Sequence, residues 1–285
     1  MSSSSRRNSN RSTVCAAGSC LGELACESVT VLRTSVAFEV IAHRGAPVGV
    51  PENTVPAFQR ALGLGADGIE LDVRLTRDGV PVVFHYFYLD EGTTLSGPIF
   101  EHTLDQLRRG EVLGSGGESV EPYRIPTLAE VLETFGGRIG LEIEIKGPEP
   151  ESPEAVASLL HRFRHLWETI EATSYEPALL ADIGERCPGL ATDLLFPRSE
   201  DWMGLDVIAY LAIHRARLAR ARAVHLHPTQ LSPEVVSTVR SSGIEVHSWD
   251  ANGMESLRTV AELGIPKFDT DELQQALDFR QRLET

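Results

Sequence analysis

Asp67-Gly-Ile-Glu-Leu-Asp-Val73 and Ile139-Gly-Leu-Glu-Ile-Glu-Ile145, the second followed at once by Lys146, decide how this chain folds. Successive side chains of a β-strand alternate between its two faces. Glu70 and Asp72 therefore emerge together and Leu71 and Val73 oppose them, while Glu142, Glu144 and Lys146 alternate with Leu141, Ile143 and Ile145. A parallel strand that serves only to pack reads as a near-continuous apolar run. One face of these strands is ionisable instead, and isolated charges are too costly to bury as packing. The charged face must line something wet or metal-filled. With His43, Arg44 and His85 at the ends of two further expected strands, it marks a site.

Outward from these segments, strands are expected near 38–42, 67–73, 81–85, 139–145, 169–173, 190–195, 223–226, 244–249 and 266–269. Helical patterns fall between them, near 127–135, 153–167, 176–186, 204–221, 232–241 and 253–263. In the first helix Asn53 or Thr54 suits the cap and Pro56 the first turn. Val55, Phe58, Ala61 and Leu62 share a face, and Gly63 and Gly65 mark the exit. About eight β/α units in one domain, residues 38–285, fit a closed (β/α)8 barrel better than an open doubly wound sheet. His43-Arg44-Gly45-Ala46-Pro47 lacks the glycine spacing of a dinucleotide turn. In such a barrel the C-terminal strand ends carry the chemistry, and every acid, base and histidine named above is expected there. Residues 86–126 form a long, Gly-rich, mostly irregular stretch, expected to lie over the mouth and shape the substrate site; it is too short for a second domain.

The composition narrows the partners. A formal net charge of −15 argues against a general nucleic-acid or anionic-membrane binder, although Arg44 and Lys146 can form a local basic pocket. No apolar run approaches the ~20 residues of a membrane-spanning helix. Cys15, Cys20, Cys26 and Cys187 match neither a disulfide framework nor a zinc motif. Residues 1–37 open with a polar, low-complexity stretch and are read as a disordered extension to a cytoplasmic enzyme. Arg6, Arg7 and Arg11 ahead of Ala17-Gly18-Ser19-Cys20 give a weaker export or lipoprotein alternative. The oligomeric state is left open.

Three carboxylates from neighbouring strands, Glu70, Asp72 and one of Glu142 or Glu144, offer hard oxygen donors that suit Mg²⁺ or Ca²⁺. Without a cation their repulsion raises at least one pKa. The structural alternative is a salt bridge from Lys146 to a glutamate, and the two readings are compatible. His43 and His85 are two imidazoles able to act as base and acid across a phosphorus centre. Arg44 beside His43 matches phosphate oxygens in a bidentate way, and Lys146 adds a second positive charge. His102, His161, His165 and His214 are read as core or surface residues.

The ordered set HRG at 43–45, PENT at 51–54, GADGIELDVRLTRDGVPVVFH at 65–85, EIK at 144–146, Ser174-Tyr175, Trp249 with Asn252, and Asp271 resembles the glycerophosphodiester phosphodiesterases, over about residues 38–275. The resemblance implies a TIM barrel of the phospholipase C-like phosphodiesterase type. It implies a divalent metal on Glu70, Asp72 and Glu144, with Mg²⁺, Ca²⁺ or Mn²⁺ as candidates. It also implies a catalytic pair, His43 and His85, phosphate contacts from Arg44 and Lys146, and Trp249 against the glycerol of a small-molecule substrate. The implied reaction is metal-assisted hydrolysis of a glycerophosphodiester to sn-glycerol 3-phosphate and an alcohol, with His43 read as base and His85 as acid in the first step.

Two departures bear on specificity. Tyr86 follows His85 where the family commonly has Asp, and Glu91-Gly92-Thr93-Thr94 replaces an Arg-Thr-Thr stretch, both on the expected alcohol side. Trp249-Asp250-Ala251-Asn252 keeps the aromatic of a usual Trp-Thr-Val-Asn; a core tryptophan is the alternative. A lyase of the enolase type is disfavoured because two ligands here share one strand. A phospholipase D-like enzyme acting on lysophospholipids is a closer rival, given Phe84, Tyr86, Phe87 and Tyr88. A non-catalytic phosphate-binding barrel is expected to lack a histidine or ligand, and this chain lacks none.

Overall fold

The alternation read along two strands becomes an inside and an outside in the computed structural model, which describes residues 38–114 and 122–284. The strands are β1 (Glu39–Ala42), β2 (Gly68–Leu75), β3 (Pro81–Val83), β4 (Gly140–Ile145), β5 (Ile170–Ser174), β6 (Ala191–Leu195), β7 (Ala223–Leu226), β8 (Glu245–Ser248) and β9 (Lys267–Thr270). Parallel pairing runs β1–β2–β4–β5–β6–β7–β8–β9 and returns to β1, closing an eight-stranded barrel. β3 lies outside this circle and pairs antiparallel with the end of β2, Val73 opposite Val83. Each expected strand is present, with the run at 81–85 as this hairpin arm.

Helices α1 (Val55–Leu64), α2 (Leu104–Leu107), α3 (Leu128–Phe135), α4 (Ser152–Arg162), α5 (Pro177–Arg186), α6 (Leu205–Ala219), α7 (Pro233–Ser241), α8 (Gly253–Glu262) and α9 (Leu273–Glu284) complete the fold. Apolar residues such as Leu71, Leu141, Ile143 and Ile145 join helix residues such as Phe58, Leu132 and Phe135 in one buried core. Phe58 and Phe135 meet edge to face at 5.8 Å. Burial of this apolar layer drives assembly, at about 25 cal/mol per Å².

Several local expectations change. Gly65 ends α1 at φ 85°, as expected, but Thr54 makes no side-chain cap bond to the helix. Its hydroxyl donates to the Pro51 carbonyl at 2.6 Å, and Asn53 is engaged by Asp72. Val55 faces solvent rather than sharing the buried face of Phe58. The helix expected over 153–167 ends at Arg162 and continues as a 3₁₀ segment, Arg164–Thr169. α9 was not anticipated, though Leu273, Ala276 and Phe279 bury one side of it. Of the stretch expected over 86–126, residues 115–121 lie outside the described residues and the remainder is more ordered than expected. Two 3₁₀ turns and α2 surround a satellite core of Val82, Phe84, Leu89, Ile99, Leu107, Val112 and Ile125. α2 itself starts on a Thr103–Gln106 capping box. The expected extension at 1–37 lies outside the described residues. Among the described residues no helix is long and apolar enough to cross a membrane.

Candidate active site

The C-terminal ends of the strands deliver the expected residues to one mouth. His43 directly follows β1, Lys146 follows β4, Tyr175 follows β5, Trp249 follows β8 and Asp271 follows β9, while His85 lies just beyond β3. Glu70 and Asp72 on β2 face Glu144 on β4, where Asp72 and Glu144 are register partners. The three carboxylates are buried, with one oxygen of each within 4.8 Å of the others. Lys146 Nζ lies 3.2 Å from Asp72 Oδ1 and 3.0 Å from Glu144 Oε2, so the salt bridge exists and shares the residues of the metal reading. Arg44 Nε is 3.1 Å from Asp72 Oδ2, its Nη1 is 3.1 Å from Glu52 Oε1, and its backbone N–H donates to Glu70 Oε2 at 3.1 Å. Asn53 donates to Asp72 Oδ2 at 2.7 Å and accepts the Asp72 backbone N–H at 3.2 Å. Arg44, Asn53 and Asp250 all adopt positive φ here, between 53° and 56°, the kind of backbone strain that clusters where side chains must be aimed.

The electrostatics follow from burial and from these partners. Burial, and the charge of Asp72 next, push Glu70 well above the usual carboxylate range. Burial likewise raises Glu144 to about 7, opposed by Lys146. Burial also opposes charge on Asp72, yet Lys146 and Arg44 outweigh it and hold that carboxyl well below its ordinary value. An all-oxygen donor set whose buried members repel one another, neutralised here only in part by Lys146 and Arg44, fits a hard divalent cation.

The two histidines sit in opposite fields. His43 Nδ1 meets Asp271 Oδ1 at 2.6 Å and its Nε2 is 3.9 Å from Glu70 Oε2. Burial alone lowers its pKa, but Asp271, Glu70 and Asp269 carry it up to about 10. Burial lowers His85 to about 3 with help from Arg44 and Lys146, against the pull of Asp72. His85 Nδ1 is buried without a hydrogen bond. Beside it a cavity of about 260 Å³ opens between the 47–53 loop and the segment after β3, with Glu52, Asn53, Tyr86 and Leu113 in its wall. Trp249 is half-buried; its indole N–H donates to the Phe196 carbonyl at 2.9 Å, and its ring meets Tyr175 edge-on at 6.1 Å.

Two residues at this mouth escaped the sequence reading, and one expected candidate belongs elsewhere. Arg74, on the same face of β2 as Glu70 and Asp72, donates to the His85 carbonyl at 2.9 Å and the Gly147 carbonyl at 3.2 Å, and lies 3.8 Å over the Phe87 ring. The period of two that found Glu70 and Asp72 also reaches it. Asp269, raised to about 6 by burial, accepts the Asp250 backbone N–H at 2.8 Å. Glu142, read as a strand-end acid and possible ligand, does not join the cluster. Its carboxylate turns to Lys267 Nζ, 3.4 Å away, because Lys267 is the cation within its reach.

The glycerophosphoryl diester phosphodiesterase family model matches residues 43–275. A glycerophosphodiester phosphodiesterase of Caldanaerobacter subterraneus subsp. tengcongensis is 34% identical over 238 residues, covering 82% of this chain and 93% of that one. Among solved structures, a glycerophosphodiester phosphodiesterase of Agrobacterium tumefaciens superposes with a TM-score of 0.71 at 26% identity, over 85% of this chain and 99% of that one. An Oleispira antarctica phosphodiesterase, solved in complex with the product sn-glycerol-3-phosphate, superposes with a TM-score of 0.73 at 25% identity, over 86% and 99%. With its closed barrel and its ordered motifs matched over this span, the chain belongs to the glycerophosphoryl diester phosphodiesterase family.

Proposed function

We propose that residues 38–285 form the catalytic domain and that the barrel mouth hydrolyses glycerophosphodiesters to sn-glycerol 3-phosphate and an alcohol. The observation that carries the reading is the convergence of two imidazoles, two fixed cations and two further carboxylates, Glu70 and Glu144, on one buried charge, Asp72. A divalent cation held by Glu70, Asp72 and Glu144, with Mg²⁺ or Ca²⁺ the best fit to the donors, supplies positive charge next to the phosphate. Arg44 and Lys146 bind the phosphate oxygens, exchanging part of their contact with Asp72 and Glu144 for the substrate. His43 and His85 are the proton-transfer pair. In the protein alone His43 holds its proton and His85 does not, the reverse of base and acid as expected from sequence. A cation bound at Glu70 would offset one of the three carboxylates that favour the His43 proton, while Asp271, the strongest of them, would still hold it. Trp249 and Tyr175 form an aromatic wall for the glycerol moiety, and the cavity beside His85 receives the alcohol.

The exposed Phe87, Tyr88 and Leu113 on the segment after β3 favour a second substrate group, lysophospholipids. The reaction is assigned to the cytoplasm, in keeping with the buried free thiol of Cys187. The test is release of sn-glycerol 3-phosphate from glycerophosphocholine and glycerophosphoethanolamine, and of choline from lysophosphatidylcholine, by chelator-treated protein, before and after Mg²⁺, Ca²⁺ or Mn²⁺ is added. Metal-restored release from the water-soluble diesters is expected. Full activity after verified metal removal would overturn the carboxylate assignment, and choline release from the lysolipid alone would favour the phospholipase D-like alternative.

A further inference from the structure

A second set of ligating side chains lies toward the N-terminal ends of the strands, and the reaction above does not use it. Asp193 on β6, His225 on β7 and His247 on β8 are buried, and the two histidines are register partners. Asp193 Oδ2, His225 Nε2 and His247 Nδ1 form a nearly equilateral triangle with sides of 3.4, 3.1 and 3.3 Å. The outer ring nitrogens face carboxylates: His225 Nδ1 is 3.4 Å from Glu142 Oε1, and His247 Nε2 is 3.5 Å from Glu245 Oε2. An imidazole that gives its outer N–H to a carboxylate turns a lone pair inward, the arrangement that orients histidine ligands of metals. In the structure the two inner nitrogens share a hydrogen bond at 3.1 Å and Asp193 Oδ2 accepts from Arg222 Nη2 at 2.7 Å; loss of the one inner proton leaves two imidazole lone pairs and a carboxylate oxygen converging on one point. A cation satisfies all three.

Size and charge agree. Donors about 2.0–2.1 Å from a tetrahedral ion stand about 3.3–3.4 Å apart, the size of this triangle. Around it, among the described residues, Glu142, Glu171, Asp193 and Glu245 face only Lys267 and Arg222 as fixed cations. Both Glu142 oxygens have a partner, His225 Nδ1 at 3.4 Å and Lys267 Nζ at 3.4 Å, and Glu142 and His225 are more than nine-tenths buried, so the carboxylate behind His225 is held in place. A cavity of about 880 Å³ opens at this end of the barrel with Glu142, His247 and Lys267 in its wall, which gives an ion a way in.

We propose that Asp193, His225 and His247 form a binding site for a first-row divalent transition-metal ion, Zn²⁺ above all, chemically distinct from the all-oxygen set at the mouth. Imidazole nitrogens select Zn²⁺ or Co²⁺, whereas carboxylates alone suit Mg²⁺ and Ca²⁺. The ion ties three consecutive strands together inside the barrel.

The test titrates Co²⁺ into the chelator-treated full chain in a large excess of Mg²⁺, which competes for the all-oxygen site. Expected is one equivalent of Co²⁺ with the visible absorption bands of low-coordinate, imidazole-ligated metal, displaced by Zn²⁺. His247→Gln removes these bands. Glu245→Gln, which changes a solvent-exposed carboxylate and leaves the fold undisturbed, weakens Co²⁺ binding about tenfold or more. Hydrolysis supported by Mg²⁺ is unchanged in both variants, and the spectral readout does not depend on any hydrolysis. The absence of such bands in the parent protein, their persistence in His247→Gln, or an unaltered affinity in Glu245→Gln overturns the site and leaves a hydrogen-bonded polar network.

Discussion

His43 shows how far one side chain is governed by its neighbours. Its ring has Asp271 on one nitrogen and Glu70 beyond the other, and these raise its pKa from 6.5 to about 10 despite burial. A group raised in the folded state stabilises fully below its unfolded pKa and loses that contribution as pH climbs through the folded value. Stability of the chelator-treated protein is therefore expected to fall between pH 7 and 10. Urea unfolding across that range should show the slope in the parent and a much flatter profile in His43→Gln; equal slopes would refute the pairing. Arg74 is the residue-scale lesson in the other direction. It was legible at the same period of two as Glu70 and Asp72, yet its role in holding the His85 carbonyl depends on β3 folding back on β2.

At the scale of elements, the turn between β1 and α1 aims His43 and Arg44. Gly45 sits at φ 89°, and a Cβ there would lie 2.8 Å from the Ala57 carbonyl carbon, inside α1. The adjacent Ala46 N–H donates to the Ala57 carbonyl oxygen at 3.0 Å, so the turn is fastened to the helix and has little room to give. Gly45→Ala combines a strained left-handed backbone with overpacking, for a loss of about 2–4 kcal/mol. Denaturant midpoints should show it, together with a drop in kcat from displaced His43 and Arg44. A variant as stable and active as the parent would mean that the turn relaxes freely. The segment after β3 is the element the sequence described least well. Its glycines and short apolar runs lack a long period, and its order comes from α2, two 3₁₀ turns and a satellite core that sequence spacing does not announce.

Across the whole molecule the two ends of the barrel separate chemistry from cohesion. At the end away from the mouth Lys267 is 5% exposed, and its ammonium serves Glu142, Glu171 and Asp193 together. Lys267→Met leaves these carboxylates short of a cation, and breaking a buried ion pair in this way costs about 3–5 kcal/mol. Urea unfolding should show that loss, while KM for glycerophosphocholine in the folded variant stays within about twofold of the parent, since the mouth keeps its own cations, Arg44 and Lys146. A large change in KM with little loss of stability would place Lys267 in the site.

The sequence by itself determined the barrel and most of its mouth. Strand alternation is a local property, and a charged face on β2 and β4 needs an interior to line whatever surrounds it. Which acids meet was left to tertiary structure. Glu70 and Glu142 are register partners with the same chemistry. One reaches the His43–Arg44 turn and the other Lys267, because strands distant in sequence bring different cations to each. The triangle of Asp193, His225 and His247 is a product of closure in the same sense. Its members come from three strands, 22 to 54 positions apart along the chain, and only the pairing of neighbours around the barrel sets their donor atoms within 3.4 Å.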